Sequence, residues 1–110
     1  MKQSIEFHGV PRSTERFQAG DAALAFTAVQ YTYNNKSAIA VLITCEDNPI
    51  RFTLGNATPT QGTAGLGHIL YVGQSLRLPN PAALRTFRYI NHTNGANGVL
   101  QATFEYEIGA

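Results

Sequence analysis

Short alternating segments set the texture of this chain. In "SIEFH" (4–8), Ile5 and Phe7 alternate with polar neighbours, as a half-buried strand requires. "AALAFTAVQYTY" (22–33) holds alanines that a helix would accept. Yet Ala22, Leu24, Phe26 and Ala28 alternate, and the β-branched and aromatic residues tip the segment to a strand. "AIAVLITC" (38–45) is continuously apolar, the pattern of a central strand buried on both faces. In "IRFTL" (50–54), Ile50, Phe52 and Leu54 face one way and Arg51 and Thr53 the other. "HILYV" (68–72) and "SLRL" (75–78) flank Gly73 and predict a hairpin, with "RTFRYIN" (85–91) as a further strand. The last run, "VLQATFEYEI" (99–108), alternates most clearly. It predicts Leu100, Ala102, Phe104, Tyr106 and Ile108 inward, and Gln101, Thr103, Glu105 and Glu107 outward.

The segments between these runs are rich in turn formers. "GVPRSTERFQAGD" (9–21) holds Gly9, Pro11, Gly20 and a charged middle, a poor strand and a poor helix in isolation. It predicts an extended arm or loop that packs across an adjacent subunit. Val10 and Phe17 would anchor it, and Arg12, Glu15 and Arg16 would make polar contacts at the rim. "NNKS" (34–37) is a turn, and "GNATPTQGTAG" (55–65) is the longest loop. "PNPAA" (79–83) breaks the chain because no helix interior tolerates its prolines, and Asn94-Gly95 is a strong turn dipeptide. Seven or eight strands spaced roughly 8–12 residues apart, with no convincing amphipathic helix, predict an all-β fold. The expected form is a single antiparallel β-sandwich or jelly roll.

Composition narrows the function. Charged residues make up only 14% of the 110, against roughly 25% in ordinary soluble domains. A surface built from Asn, Gln, Thr, Ser and Gly repels neighbours weakly and suits permanent protein contact. A net charge of +1 gives no footprint for specific nucleic-acid binding and no polybasic membrane patch. The single cysteine, Cys45, excludes an internal disulfide and fits a reducing compartment. "MKQSIEFHGV" lacks an apolar stretch long enough for a signal peptide, so synthesis in a cytoplasm is expected.

Candidate chemistry is sparse. A cupin-like metal site would set two histidines at alternate positions of one strand, but His68 is followed at that spacing by Leu70. His8 and His92 lie in other segments, and only Glu6 is close to either in sequence. No cofactor or bound transition metal is therefore expected. Glu105 and Glu107 share a strand face but read as a solvated face protecting an edge. Cys45 beside Glu46-Asp47 would have a dulled thiol. "GTAGLG" (62–67) superficially suggests a phosphate loop, but a strand follows where such loops need a helix. Arg51, Arg77 and Arg88 are candidates to align across neighbouring strands, and salt bridges or a subunit contact are favoured for them over nucleic acid.

The second half carries a resemblance. "NPIRFTLGNATPT", then "GHILYVGQSLRLPNPAALRTFRYI", then "GVLQATFEYEI" resembles small β-sandwich virion structural proteins of tailed bacteriophages over about residues 48 to 108. In those proteins an I-R-F-T-L strand leads into a Gly/Thr/Pro loop. A G-H-x-L strand, a G-Q-S-L-x-L return, an F-R-x-I strand and an alternating terminal strand follow. The resemblance implies a decoration, cement, collar or tail-adaptor subunit. Such a subunit is non-enzymatic, resident in the virion after synthesis in the bacterial host cytoplasm, and bound to capsid, portal, neck or tail proteins and to its own copies. The alternatives are a carbohydrate- or receptor-binding module, with Tyr31, Tyr33 or Tyr89 stacking on sugars, and a small cupin-like enzyme.

Overall fold

The computed structural model describes residues 9–108. The chain runs β1 (Val10–Ala19), β2 (Leu24–Ala25), β3 (Thr32–Tyr33), β4 (Lys36–Ser37), β5 (Ala40–Glu46), β6 (Ile50–Thr53), β7 (His68–Leu70) and β8 (Ser75–Leu78). It closes with α1 (Pro81–Thr86), β9 (Arg88–Asn91) and β10 (Gly98–Tyr106). Two antiparallel four-stranded sheets hold the core. The first, sheet A, has the order β1-β10-β5-β8, and the second, sheet B, has the order β2-β9-β6-β7. With the small β3–β4 hairpin set aside, this order is that of a jelly roll, in which every successive pair of strands except β6 and β7 crosses between the two sheets. The all-β expectation holds, and the strand predicted over residues 4–8 lies outside the described residues.

Between the sheets lies an aromatic core. Phe17 and Phe104 come from sheet A, Phe52 and Tyr89 from sheet B, and Phe26 and Phe87 from the segments beside β2 and β9. Phe26 touches four of these rings, with centroids 5.1 Å from Phe17, 5.3 Å from Phe87, 5.3 Å from Phe104 and 5.9 Å from Tyr89. Edge-on and offset contacts of this kind add about 0.5–1.5 kcal/mol per pair beyond simple burial. The alternation of the last run is realised: Leu100, Ala102, Phe104 and Tyr106 are all buried. Ile108 lies beyond the strand and is 84% exposed, because pairing with β1 ends at Tyr106.

Several expectations need correction. Residues 10–19 are not an arm but a ten-residue strand, antiparallel to β10, with a bulge between Pro11 and Thr14. Its own composition is poor for a strand, but β10 offers a full edge to pair with. The bulge takes up the proline, which has no amide hydrogen to donate. Phe17 is consequently core, 8% exposed, and not an anchor on a neighbour.

Residues 22–33 do not form one strand. The segment is broken into β2, a turn in which the Gln30 and Tyr31 amides donate to the Thr27 carbonyl, and β3. Phe26 enters the core from it. "HILYV–SLRL" is not a hairpin. β7 belongs to sheet B and β8 to sheet A, so the Gly73 turn is a corner that carries the chain between sheets. "PNPAA" contains a short helix after all. Pro81 stands in its first turn, where no amide is needed, and the Asn80 side chain accepts from the Ala83 amide as N-cap.

Candidate functional site

The outward faces of the two sheets are finished differently, and the difference locates the site. On sheet A the outward row includes Thr14, Thr103, Leu42 and Arg77, as the strand register dictates. Arg77 reaches past β5 to Glu105 of β10, with Nε to Oε2 at 3.1 Å and Nη2 to Oε2 at 2.9 Å. Glu105 is fully buried. The solvated outward position expected for it is thus wrong: the guanidinium covers it, and its Oε1 also accepts from the Gly9 amide.

On sheet B the outward positions Arg51, Thr53 and Ile90 are also buried, but by a loop. Residues 55–67 fold back over them. Arg51, which is 5% exposed, donates from Nε to the Gly62 carbonyl (2.9 Å), from Nη1 to the Gly67 carbonyl (2.7 Å) and from Nη2 to the Thr63 carbonyl (3.3 Å). Among the described residues no carboxylate pairs with it. The glycines of "GTAGLG" serve this wrapping. A Cβ on Gly65 would fall 2.2 Å from the Thr60 carbonyl oxygen and 2.8 Å from Arg51 Nε. One on Gly67, where φ is +121°, would strike the Phe52 carbonyl oxygen at 2.7 Å. The loop is tied further by Thr53, whose hydroxyl donates to the Ala57 carbonyl. The Leu66 amide donates to Thr60 Oγ1 (2.7 Å), and the Gly62 amide to the His92 carbonyl (2.7 Å). Gln61 Nε2 donates to Asp21 at 3.1 Å and also to Asn91.

Where this loop meets β7 it leaves a depression of about 280 Å³, lined by Thr53, Leu54, Ala57, Leu66, Gly67 and His68. Leu54 and Leu66 expose 44% and 55% of their surface there. Leu54 was expected inward with Ile50 and Phe52, but β6 ends at Thr53 and the side chain turns out to solvent. Past β7, Tyr71 and Val72 are also exposed at the corner. This end of sheet B is the candidate binding site. Sequence reasoning missed Leu66, whose isolation in a Gly/Thr loop was the available signal.

The residues predicted for an interface are scattered. Arg51 and Arg88 sit on sheet B and Arg77 on sheet A, so the three do not align. Arg51 is inside the loop anchor, Arg77 is paired with Glu105, and Arg88 is half-buried beside Thr53. On β1, Val10 and Glu15 are partly buried, Arg16 is exposed, and Arg12 lies 4.8 Å over the ring of Tyr33. Of the aromatics considered for sugars, Tyr89 is buried and its hydroxyl is pushed up to about 12 by that burial. Tyr31 packs against the core, and Tyr33 is half-exposed beneath Arg12.

His68, His92 and Cys45 have structural partners. His68 stacks on Phe52 with centroids 5.3 Å apart, and His92 Nδ1 is 3.2 Å from Thr93 Oγ1. Among the described residues no three His, Cys, Asp or Glu side chains gather where they could hold a metal ion. Cys45 is buried and donates to the Asn48 carbonyl at 3.3 Å. Burial, reinforced by the charges of Glu46 and Asp47, pushes its thiol up to about 11. Comparison with protein-family models, curated proteins and solved structures returns no match.

Proposed function

We propose that this chain is a non-enzymatic structural subunit of a tailed-bacteriophage particle. It binds capsid or neck and tail proteins and stabilises the assembled virion, after synthesis in the bacterial cytoplasm. The observation that carries this reading is the division of labour on sheet B. Polar groups there are turned onto the chain's own backbone by Arg51, while Leu54 and Leu66 are left exposed around an apolar depression. An exposed apolar site rimmed by satisfied polar groups is what a protein-binding surface needs. The strand-and-turn resemblance of residues 48 to 108 supplies the kind of assembly, and it covers β6 to β10, hence the whole depression. The jelly-roll frame supports the reading without selecting it, since capsid, lectin and cupin domains all use that frame.

The test is to purify infectious particles on a gradient and look for the protein by mass spectrometry, then place it by electron microscopy. A fixed copy number at a symmetric position on head, neck or tail is the expected result. Absence from particles that remain infectious would refute the proposal.

A further inference from the structure

The partner's chemistry can be read from a gap in the charge pattern. After Asp47 the next acidic residue is Glu105, and the span between holds Arg51, Arg77, Arg85, Arg88, His68 and His92. Strands β6, β7 and β9 and the loop at 55–67 all come from that span, and β2 adds only Leu24 and Ala25. The strands of sheet B and the covering loop therefore contribute no carboxylate of their own, and the one bonded to them, Asp21, comes from the segment before β2 and meets Gln61 and Asn91. Among the described residues, the arginine of the span that a carboxylate neutralises is Arg77, which belongs to the other sheet. Arg51 keeps its full charge, because carbonyls satisfy its donors without cancelling it. Its guanidinium bonds the carbonyl of Gly67, the residue just before β7. Held out of water, that charge is screened by salt less than a surface lysine would be.

β7 is also the last strand of sheet B among the described residues, paired only with β6. An edge strand presents amide and carbonyl groups at the spacing of an incoming strand, which would lie about 4.8 Å away. Beside it are the depression lined by Leu54, Ala57 and Leu66, and the exposed imidazole of His68.

We propose that the β7 edge is a docking site for an extended, acidic segment of another protein. The segment adds a strand to His68–Leu70, places one apolar side chain in the depression, and sets carboxylates near His68 and the Arg51 end of the loop. Main-chain hydrogen bonds give such an interaction its affinity, and alternate side chains give it specificity. Nucleic acid fits the site less well. It needs several exposed cations along a track, and here the nearest arginine is buried. The proposal names the partner chemistry for the assembly role above, and rests on that role only for which protein carries the segment.

The probe is a labelled synthetic peptide alternating Glu with Val and Leu. Its controls are the same peptide with Lys for Glu, a version with Pro at alternate positions, and a thymidine oligonucleotide. Titration into the intact protein, followed by anisotropy and by backbone amide shifts, should show binding of the Glu peptide only. The shifts should centre on Leu66 and His68–Leu70. Binding should weaken at least tenfold in His68→Glu and several-fold in Leu66→Ser, both exposed positions, of which His68 touches the core only through the ring of Phe52. Equal binding of the Lys peptide, retention of the Pro peptide, tighter binding of the oligonucleotide, or no binding of the Glu peptide would each overturn the proposal. So would self-association of the protein that Leu66→Ser abolishes, which would make a second copy the occupant. If the Glu peptide binds but the protein is absent from particles, the assembly role fails and the docking site stands. If the protein is in particles and His68→Glu leaves the peptide bound, only the docking site fails.

Discussion

On sheet A an outward arginine is answered by a carboxylate two strands away; on sheet B an outward arginine is answered by three carbonyls of a loop. Both arginines are satisfied, but by different means. Sheet A closes its face with side chains that the strand register brings together, including the Thr14–Thr103 and Thr44–Ser75 hydroxyl pairs. Sheet B recruits thirteen residues of irregular chain, 55–67, and makes one buried cation their organising centre. The lesson is about what each face can afterwards do. A face closed by paired side chains is finished. A face closed by a loop has an edge where the loop stops, and at that edge lie the depression, the exposed leucines and β7.

The sharpest way to break this comparison is to remove the centre. Arg51→Ala should destabilise the protein by about 3 kcal/mol, since charge-assisted hydrogen bonds contribute about 1.5–3 kcal/mol each but the released carbonyls can turn to water. Urea denaturation gives the stability, and amide exchange over residues 55–67 should rise far more than over β5 or β10. Arg51→Lys should recover little, because an ammonium cannot reproduce the planar fork that spans three carbonyls. If Arg51→Ala costs less than about 1 kcal/mol, the loop holds itself and the comparison fails.

Gly65→Ala attacks the same region without touching charge. The new methyl would meet the backbone of Thr60 and Gln61 at distances no real contact shows, so the loop must lift. A loss of about 2 kcal/mol is expected, within the usual range for overpacking. It should be accompanied by the same local rise in amide exchange as Arg51→Ala. On sheet A, Arg77→Met should cost about 2 kcal/mol by leaving the buried Glu105 carboxylate without its guanidinium, discounted because Arg77 itself is partly exposed. The contrast lies in where the damage appears. Here amide exchange at 55–67 should stay at the wild-type level while β8 and β10 loosen. Spread of the damage into the loop would mean that the two faces are coupled, and the division drawn above would go.

Much of this architecture was legible in the chain, and what was not has a physical cause. Alternation located β10 and β6, the apolar runs beside Gly73 located β7 and β8, and the continuous apolar run located β5, because the apolar residues of each are visible in its own sequence. β1 does not: only Phe17 and Ala19 of its ten residues are buried, and it is a strand because β10 has a vacant edge. Glu105 looked solvated because alternation reports which face a residue is on and says nothing of what else crosses that face. Its partner Arg77 is far away in sequence and two strands away in the sheet. Arg51 looked exposed for the same reason, since nothing in "IRFTL" announces that a loop will fold over it. In α1 the signal was present, an Asn before a Pro at the start of the helix. A proline judged against helix interiors concealed it. The candidate site was the least legible part, because it exists only where the loop, β6 and β7 meet.

The smallest expected effect tests how the far end of the loop is held. Asp21 is exposed, yet its Oδ1 accepts from the Gly95 amide at 2.8 Å, from Asn91 Nδ2 at 2.7 Å and from Gln61 Nε2 at 3.1 Å. The Gly95 amide, followed by the Asn91 and Gln61 side chains, holds its carboxyl below the ordinary value of 3.8. A carboxyl that is more acidic in the folded chain contributes stability above its unfolded value, and that contribution is lost as pH falls through the folded value. Asp21→Asn keeps the size of the side chain but removes the charge that these donors recognise. Wild type should therefore melt a few degrees higher than the variant at neutral pH, with the gap constant down to about pH 4 and closing below it. Other carboxylates titrate in both proteins and cancel in the difference. Thermal melts of the two proteins across that range check it. A gap that persists undiminished at about pH 2 would mean that Asp21 acts through shape alone, and that Gln61 is held at this end of the loop by Asn91 rather than by charge.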